Sequence, residues 1–355
     1  MIRSRHPGLV GAIALATTLA TVLAISLPAA AQETYKAPRT VGGQPDLQGI
    51  WTNATITPLE RDPKLGERLV LTLAEAAALE TTIAALNTEA GRPTDPKAGI
   101  ADLPVDCGRG FRGVDCGYNN FWVDPGTKVI TLNGEKRASI LVEPANGRLP
   151  AMKPEARARM AARFQRGNFD GPESRSLGER CILSFGSSAG PPMTPLLYNN
   201  TYQIIQTGGE VMILVEMVHD VRVVRIGGQR DPSHVRKWMG DSIGRWEGDT
   251  LVIETTNFHP QQSYRGGSSD AKITERLTRI NASQILYRFT VDDPATYDRP
   301  FTGEVAMNAT KGPIYEYACH EGNYSLAGIL GGARKEERAG KELEGAKGEI
   351  EDEGQ

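Results

Sequence analysis

From residue 201 onward, apolar side chains recur at about every second position, in short runs cut by glycine-rich links. The runs are 202–207, 211–217, 221–226, 245–246, 250–255, 272–280, 285–291 and 302–307. Their length and their β-branched and aromatic content predict strands. Gly208-Gly209, Gly227-Gly228 and Glu247-Gly248-Asp249 punctuate them as turns. Short links predict sequential antiparallel pairing, and so a meander closed into a barrel or packed as a sandwich. Residues 211–215 are apolar at every position, which predicts a central strand covered on both faces. No internal repeat of fixed period is present.

The N-terminal half carries fewer strands and two helical patterns. Residues 46–51 open the structured region, with Trp51 on a first strand. Thr72 and Glu75 have the spacing of a capping box, and Leu79, Ile83 and Leu86 then share one face. Gly91 and Pro93 stop that helix. Residues 95–117 read as an irregular loop. A strand is expected around Phe121-Trp122-Val123. The runs 128–132 and 137–142 flank Asn133-Gly134, the strongest short hairpin signal. A second helix is expected over 154–165, with Pro154 at its first position and Met160 and Phe164 on one face. The fold class is mainly β: a lipocalin-like barrel or sandwich with two accessory helices in the N-terminal half.

The ends differ from the middle. Arg3 and Arg5 precede an uncharged stretch over 9–27, followed by Pro28-Ala29-Ala30-Ala31. A basic start, an apolar middle and a small-residue site form a secretory signal peptide, with cleavage expected between Ala31 and Gln32. The competing reading is a membrane anchor. Residues 32–45 read as an extended lead-in and 46–333 as a single β-rich domain, helical and looped over 46–170 and a meander over 171–333. Residues 334–355 are charged and glycine-rich, too polar to offset their ordering entropy, and read as a disordered tail. The expected location is periplasmic or secreted, with no membrane attachment after cleavage.

Composition narrows the partners. The net charge is −3, and −5 once a leader holding two Arg and no acid is gone. A weakly acidic chain without a basic run is a poor partner for nucleic acid. The 39 Gly and 22 Pro agree with a turn-rich β protein. The four Cys are 107, 116, 181 and 319. An even count in an exported chain implies disulfides. Three connectivities are open, and the expected pairs are Cys107–Cys116, closing a short loop, and Cys181–Cys319, stapling the middle of the chain to its C-terminal part. Zinc is the alternative, but no C-x-x-C or H-x-x-x-H spacing is present. No metal or cofactor is expected.

The Gly49-Ile50-Trp51 opening resembles that of lipocalin-type barrels, in which the Trp plugs the barrel base. A second resemblance rests on longer stretches: 45–51, Gly178-Glu179-Arg180-Cys181, Met217-Val218-His219-Asp220, the run 240–252 containing Gly-Asp-Ser-Ile-Gly-Arg-Trp-Glu-Gly-Asp, and Cys319-His320-Glu321-Gly322-Asn323-Tyr324. These are similar to a family of exported bacterial β-rich proteins of uncharacterised function, over roughly residues 45–335. The resemblance places Cys181 and Cys319 inside matching motifs and implies no particular reaction or ligand.

No G-x-S-x-G, H-E-x-x-H, phosphate loop or dinucleotide fingerprint is present. Candidate chemistry is therefore read from isolated polar residues. On an extended strand Glu216, Asp220 and Arg222 would share one face and His219 the other. Glu216, His219, His259, His320 and Glu321 are the acid–base candidates. Trp51, Arg222, Asp241, Arg245 and Trp246 are the candidate ligand contacts, as aromatic wall and polar hooks. The first expectation is a binding protein holding a small apolar or amphipathic molecule in a barrel cavity, as monomer or homodimer. A cofactor-independent hydrolase, lyase or isomerase using Glu and His is the alternative, and an envelope interaction protein is the third.

Overall fold

A computed structural model describes residues 35–90, 97, 124–165, 169–184, 190–262 and 264–339. The expected signal segment, the 95–117 loop apart from residue 97, the expected strand at 121–123, the expected Cys107–Cys116 pair, the Phe164 side chain and the tail from 340 lie outside the described residues.

The chain forms a closed nine-stranded barrel. Its strands are β1 (Gly49–Thr52), β6 (Thr201–Gln206), β7 (Glu210–Val215), β8 (Asp220–Ile226), β9 (Asp241–Glu247), β10 (Thr250–Thr256), β11 (Lys272–Asn281), β12 (Gln284–Asp292) and β13 (Phe301–Ala309). They lie in sequence order, and β1 closes the ring by pairing Trp51 with Ala309 and Thr52 with Asn308. The mainly β barrel expected from the alternation is what the chain forms.

The pairing departs from a pure antiparallel meander at one seam. β8 and β9 run parallel, Val224 opposite Ser242 and Ile226 opposite Gly244. In an all-antiparallel ring strand directions alternate, so the strand number must be even. Nine strands therefore need an odd number of parallel seams. Gly227-Gly228 does not make a tight turn here. It begins a crossover over 227–240 that returns the chain to the end from which β8 started.

Among the described residues, further strands and three α-helices lie outside the ring. β5 (Leu141–Glu143) pairs with β13 at Thr302 and Gly303. A small sheet joins β2 (Val70–Leu71), β4 (Glu135–Arg137) and β3 (Thr131–Leu132). The Asn133-Gly134 turn between β3 and β4 takes positive φ at both residues, 51° and 83°, as the hairpin signal requires. Helix α1 (Leu73–Ala90) starts on the expected capping box: Glu75 N–H donates to Thr72 Oγ1 at 3.2 Å, and Thr72 N–H donates to Glu75 Oε2 at 2.8 Å. Its expected apolar face is not the buried one. Leu79 and Leu86 are exposed while Ala76 is buried, because Glu80 turns that side inward to bind Lys128 and Lys136. Helix α2 (Pro154–Gln165) has the expected bounds, and helix α3 (Tyr324–Arg338) extends into the region expected to be disordered.

Alternation sorts the ring into an inner and an outer face. Inward side chains of β9–β11 stack in layers read from the register: Ser242, Thr255 and Ile273, then Gly244, Ile253 and Glu275, then Trp246, Leu251 and Leu277. Trp51 is buried at the end of the last layer, its Nε1–H donating to Leu47 O at 3.0 Å and the Arg279 guanidinium lying 5.4 Å from its ring centre. β7 sends Val211, Ile213 and Val215 inward, but its outer face is only half covered. There Ile205, Val221 and Val223 remain exposed beside Met212 and Leu214.

Gly303 faces Phe289 across the β12–β13 seam, and a Cβ at Gly303 would sit 2.4 Å from Phe289 Cζ. Gly303→Ala is expected to cost about 1–3 kcal/mol in urea unfolding. Adding Phe289→Leu should recover part of that loss. Unchanged stability of the single variant would show that the seam is not packed this way.

Candidate functional site

The barrel interior is apolar at the Trp51 end and polar toward the other. The polarity begins with the link from β7 to β8. Glu216 follows β7, and the turn Met217–His219 then takes Val218 and His219 to positive φ, 66° and 55°. The turn breaks the alternation that would have put Glu216, Asp220 and Arg222 on one face. Asp220 is exposed, Glu216 is buried in the link, and Arg222 alone points into the barrel.

Arg222 meets Glu275 of β11 through two hydrogen bonds, Nη1 to Oε1 at 3.0 Å and Nη2 to Oε2 at 2.6 Å, with both side chains almost wholly buried. Tyr287 of β12 donates its hydroxyl to Glu275 Oε1 at 2.8 Å. Ser242 and Thr255 share a hydrogen bond at 2.9 Å, with Ser242 Oγ also 3.5 Å from Arg222 Nη2. Burial opposes the charge on Arg222, but the Glu275 carboxylate outweighs it and holds the guanidinium firmly protonated. Burial, then the Glu275 charge, raises the Tyr287 phenol well above its ordinary range. The centre is thus a fixed ion pair with a protonated phenol, not a proton-exchanging dyad.

A piece of chain that is not a strand covers this centre. In Gly190–Thr194, Met193 is fully buried. Its N–H donates to Tyr287 Oη at 2.9 Å and its carbonyl accepts from Asn53 Nδ2 at 3.0 Å. Gly190 takes φ +120° and lies against Arg222: a Cβ there would be 3.4 Å from Nη1. Two buried polar atoms at this level have no partner, Arg222 Nε and Asn53 Oδ1. Neither Asn53 nor the Met193 segment was singled out from sequence, since nothing local marks a loop as barrel filling.

The other sequence candidates disperse. Glu216 accepts backbone N–H groups from Thr201 at 3.1 Å and Tyr315 at 2.8 Å, so both oxygens hold chain in place. His219 and His320 are exposed, as is Glu321. His259 is half-buried, packed against Trp238 with ring centres 3.9 Å apart and planes tilted by 39°, and accepts at Nδ1 from Gln261 N–H at 3.2 Å. Burial and then the Arg180 charge lower its pKa. Among the described residues the one bond between any two of the five acid–base candidates is main-chain, His219 N–H to Glu216 O at 3.2 Å, with no side-chain bond between them, and no three His, Cys, Asp or Glu side chains gather as a metal would need.

Of the candidate ligand contacts, Arg222, Trp51 and Trp246 point inward. Arg245 is exposed and pairs with Glu247 and Glu254 on the outer face. Asp241 is buried under the 227–240 crossover, not at a pocket mouth. It accepts from Arg225 at 2.9 Å, the Asp231 N–H at 3.0 Å and Lys237 at 3.2 Å. Burial pushes its carboxyl up, but these donors together hold it below the ordinary carboxylate range.

The Cys181–Cys319 disulfide is present and ties the chain ahead of the Met193 segment to the C-terminal part. Asn323 adds a bond to Glu179 O at 2.7 Å and caps α3 through the Leu326 N–H. A concavity of about 300 Å³ lies outside the ring, between Thr55, Lys136 and Gln284. No described helix is long and apolar enough to cross a membrane. No protein-family model, curated protein or solved structure matches the chain.

Glu275→Ala and Arg222→Ala should each cost about 3–5 kcal/mol in denaturant unfolding, because each leaves a buried charge unpaired. The double variant should cost clearly less than their sum. Additive losses would refute the pairing. Asp241 favours its charged form when folded, so its contribution is complete above the ordinary carboxylate range and is lost as pH falls through its depressed pKa. Asp241→Asn is therefore expected to lower stability at pH 7 and flatten the acid limb of the stability profile below about pH 4. An unchanged acid limb would exclude this role.

Proposed function

We propose that this protein is an exported carrier whose barrel takes up a small amphipathic molecule in place of its own segment Gly190–Thr194. The observation that carries this reading is the buried Arg222–Glu275 pair lying beneath a piece of chain that is not part of the ring. A buried ion pair adds little stability over apolar residues of the same volume. It does supply the few convergent polar groups with which a mostly apolar pocket orients its ligand. Met193 is an adaptable filler, unbranched and polarisable, held to the ring by two main-chain hydrogen bonds that a ligand can replace.

Export rests on the N-terminal leader pattern, and the Cys181–Cys319 bond agrees with an oxidising compartment. The resemblance to the exported bacterial family points the same way. The acid–base alternative gains no support from the geometry, because no described side-chain hydrogen bond joins any two of its residues, and His219 meets Glu216 only through the main chain.

Native mass spectrometry of the protein from its own envelope fraction tests the reading, with binding of an apolar fluorescent probe measured in parallel. A stoichiometric organic mass, released on denaturation, is expected. Met193→Ala should cost the empty protein about 2–5 kcal/mol and tighten probe binding about ten-fold by removing the self-occupant. No bound mass, and no probe binding by either form, would overturn the proposal.

A further inference from the structure

The open hydrogen-bonding positions inside the barrel specify a ligand head. Every Glu275 oxygen is engaged, Oε1 by Arg222 and Tyr287 and Oε2 by Arg222. Each Nη of Arg222 places one N–H on the same carboxylate, and Nη2 also lies 3.5 Å from Ser242 Oγ. Among the atoms left without a partner are a donor, Arg222 Nε, and an acceptor, Asn53 Oδ1, each on a side chain at most 3 % exposed. If the Met193 segment leaves, Tyr287 Oη is freed as an acceptor and Asn53 Nδ2 as a donor.

The charge around these positions is already settled. Arg222 is neutralised by Glu275, and Glu216 is a second buried carboxylate in the β7–β8 link. An anionic head would enter beside Glu275 with no free cation to receive it, at a large desolvation cost. A cationic head would lie against the Arg222 guanidinium, and having only donors it would leave Arg222 Nε unanswered. A neutral group that both donates and accepts can answer donors and acceptors alike without adding a charge.

The protein's own occupant has that chemistry. Met193 presents a neutral donor and a neutral acceptor from its two flanking peptide units, its N–H on Tyr287 and its C=O on Asn53, next to an unbranched apolar side chain. Resting on the carrier reading above, we infer that the natural ligand is an unbranched apolar chain ending in a neutral head with both donor and acceptor, of the amide or alcohol class, and that fatty carboxylates are discriminated against.

Four probes of equal chain length separate the possibilities: octanamide, 1-octanol, octanoate and octylammonium, titrated into the purified full-length protein near pH 7.5 by calorimetry. Octanamide and 1-octanol are expected to bind at least about ten-fold tighter than either ion. In Glu275→Gln the guanidinium loses its carboxylate partner, and octanoate should gain about ten-fold relative to octanamide. Circular dichroism confirms that this variant is folded, and the wild-type ranking stands without it. Octanoate binding to wild type as tightly as octanamide would overturn the inference while leaving the carrier reading intact. Failure of all four probes against both wild type and Met193→Ala would remove the carrier reading, and the inference with it.

Discussion

Ring closure with nine strands is the constraint from which the rest of this structure follows. An odd ring cannot be antiparallel throughout, so one seam, β8 with β9, runs parallel. A parallel neighbour cannot be reached by a tight turn. The chain must travel the outside of the barrel over 227–240, and that travelling piece needs holding. Asp241, Arg225, Lys237 and Asp231 supply the hold, with Arg230 reaching Thr256 and Glu254 from the same crossover. An ionic lattice on the outer face thus stands at the place where topology leaves a loop with no strand to pair with.

The interior obeys a second division of labour. Around Trp51 the ring is filled by large apolar side chains and sealed by a guanidinium stacked on the indole. Toward the other end, ring residues alone do not complete the packing, and Met193 is drawn in. Its backbone polar groups must then be satisfied in the dark, which Tyr287 and Asn53 accomplish. Tyr287 can do this because its hydroxyl donates to Glu275 while accepting from Met193, so the ion pair and the inserted segment share one phenol.

Much of the ring was legible because half-buried strands must alternate. The candidate runs from 202 to 307 fall on β6–β13, and Asn133-Gly134, Gly208-Gly209 and Gly248 mark real turns. What alternation cannot report is where a strand stops. Residues 211–217 read as one run, yet Glu216 leaves it and Val218 adopts a positive φ that β-branched residues avoid. Tertiary contact with Thr201 and Tyr315 outweighs that local preference. One slip at this point parts Glu216 from the strand face it was expected to share with Arg222, and leaves Arg222 pointing into the barrel. The parallel seam had a readable sign, since 227–240 is far longer than a hairpin turn. The pairing of Arg222 with Glu275, far apart in sequence, and the insertion of Met193 had none. The long motif at 240–252 reads as architecture: Asp241 anchors the crossover, Gly244 lets Val224 and Ile226 approach, and Gly248 turns the β9–β10 hairpin.

The seam between β1 and β13 has a consequence for assembly in time. The first strand of the ring sits near residue 50 and its closing partner near residue 309. No ring can exist until almost the whole chain has emerged, whether from a ribosome or a translocation pore. Until then β1 and the strand most recently added present open edges, and the nascent protein is a curved, incomplete sheet with its apolar side uncovered. The interval before β13 arrives is therefore the period in which the unclosed sheet is most open to pairing with another chain.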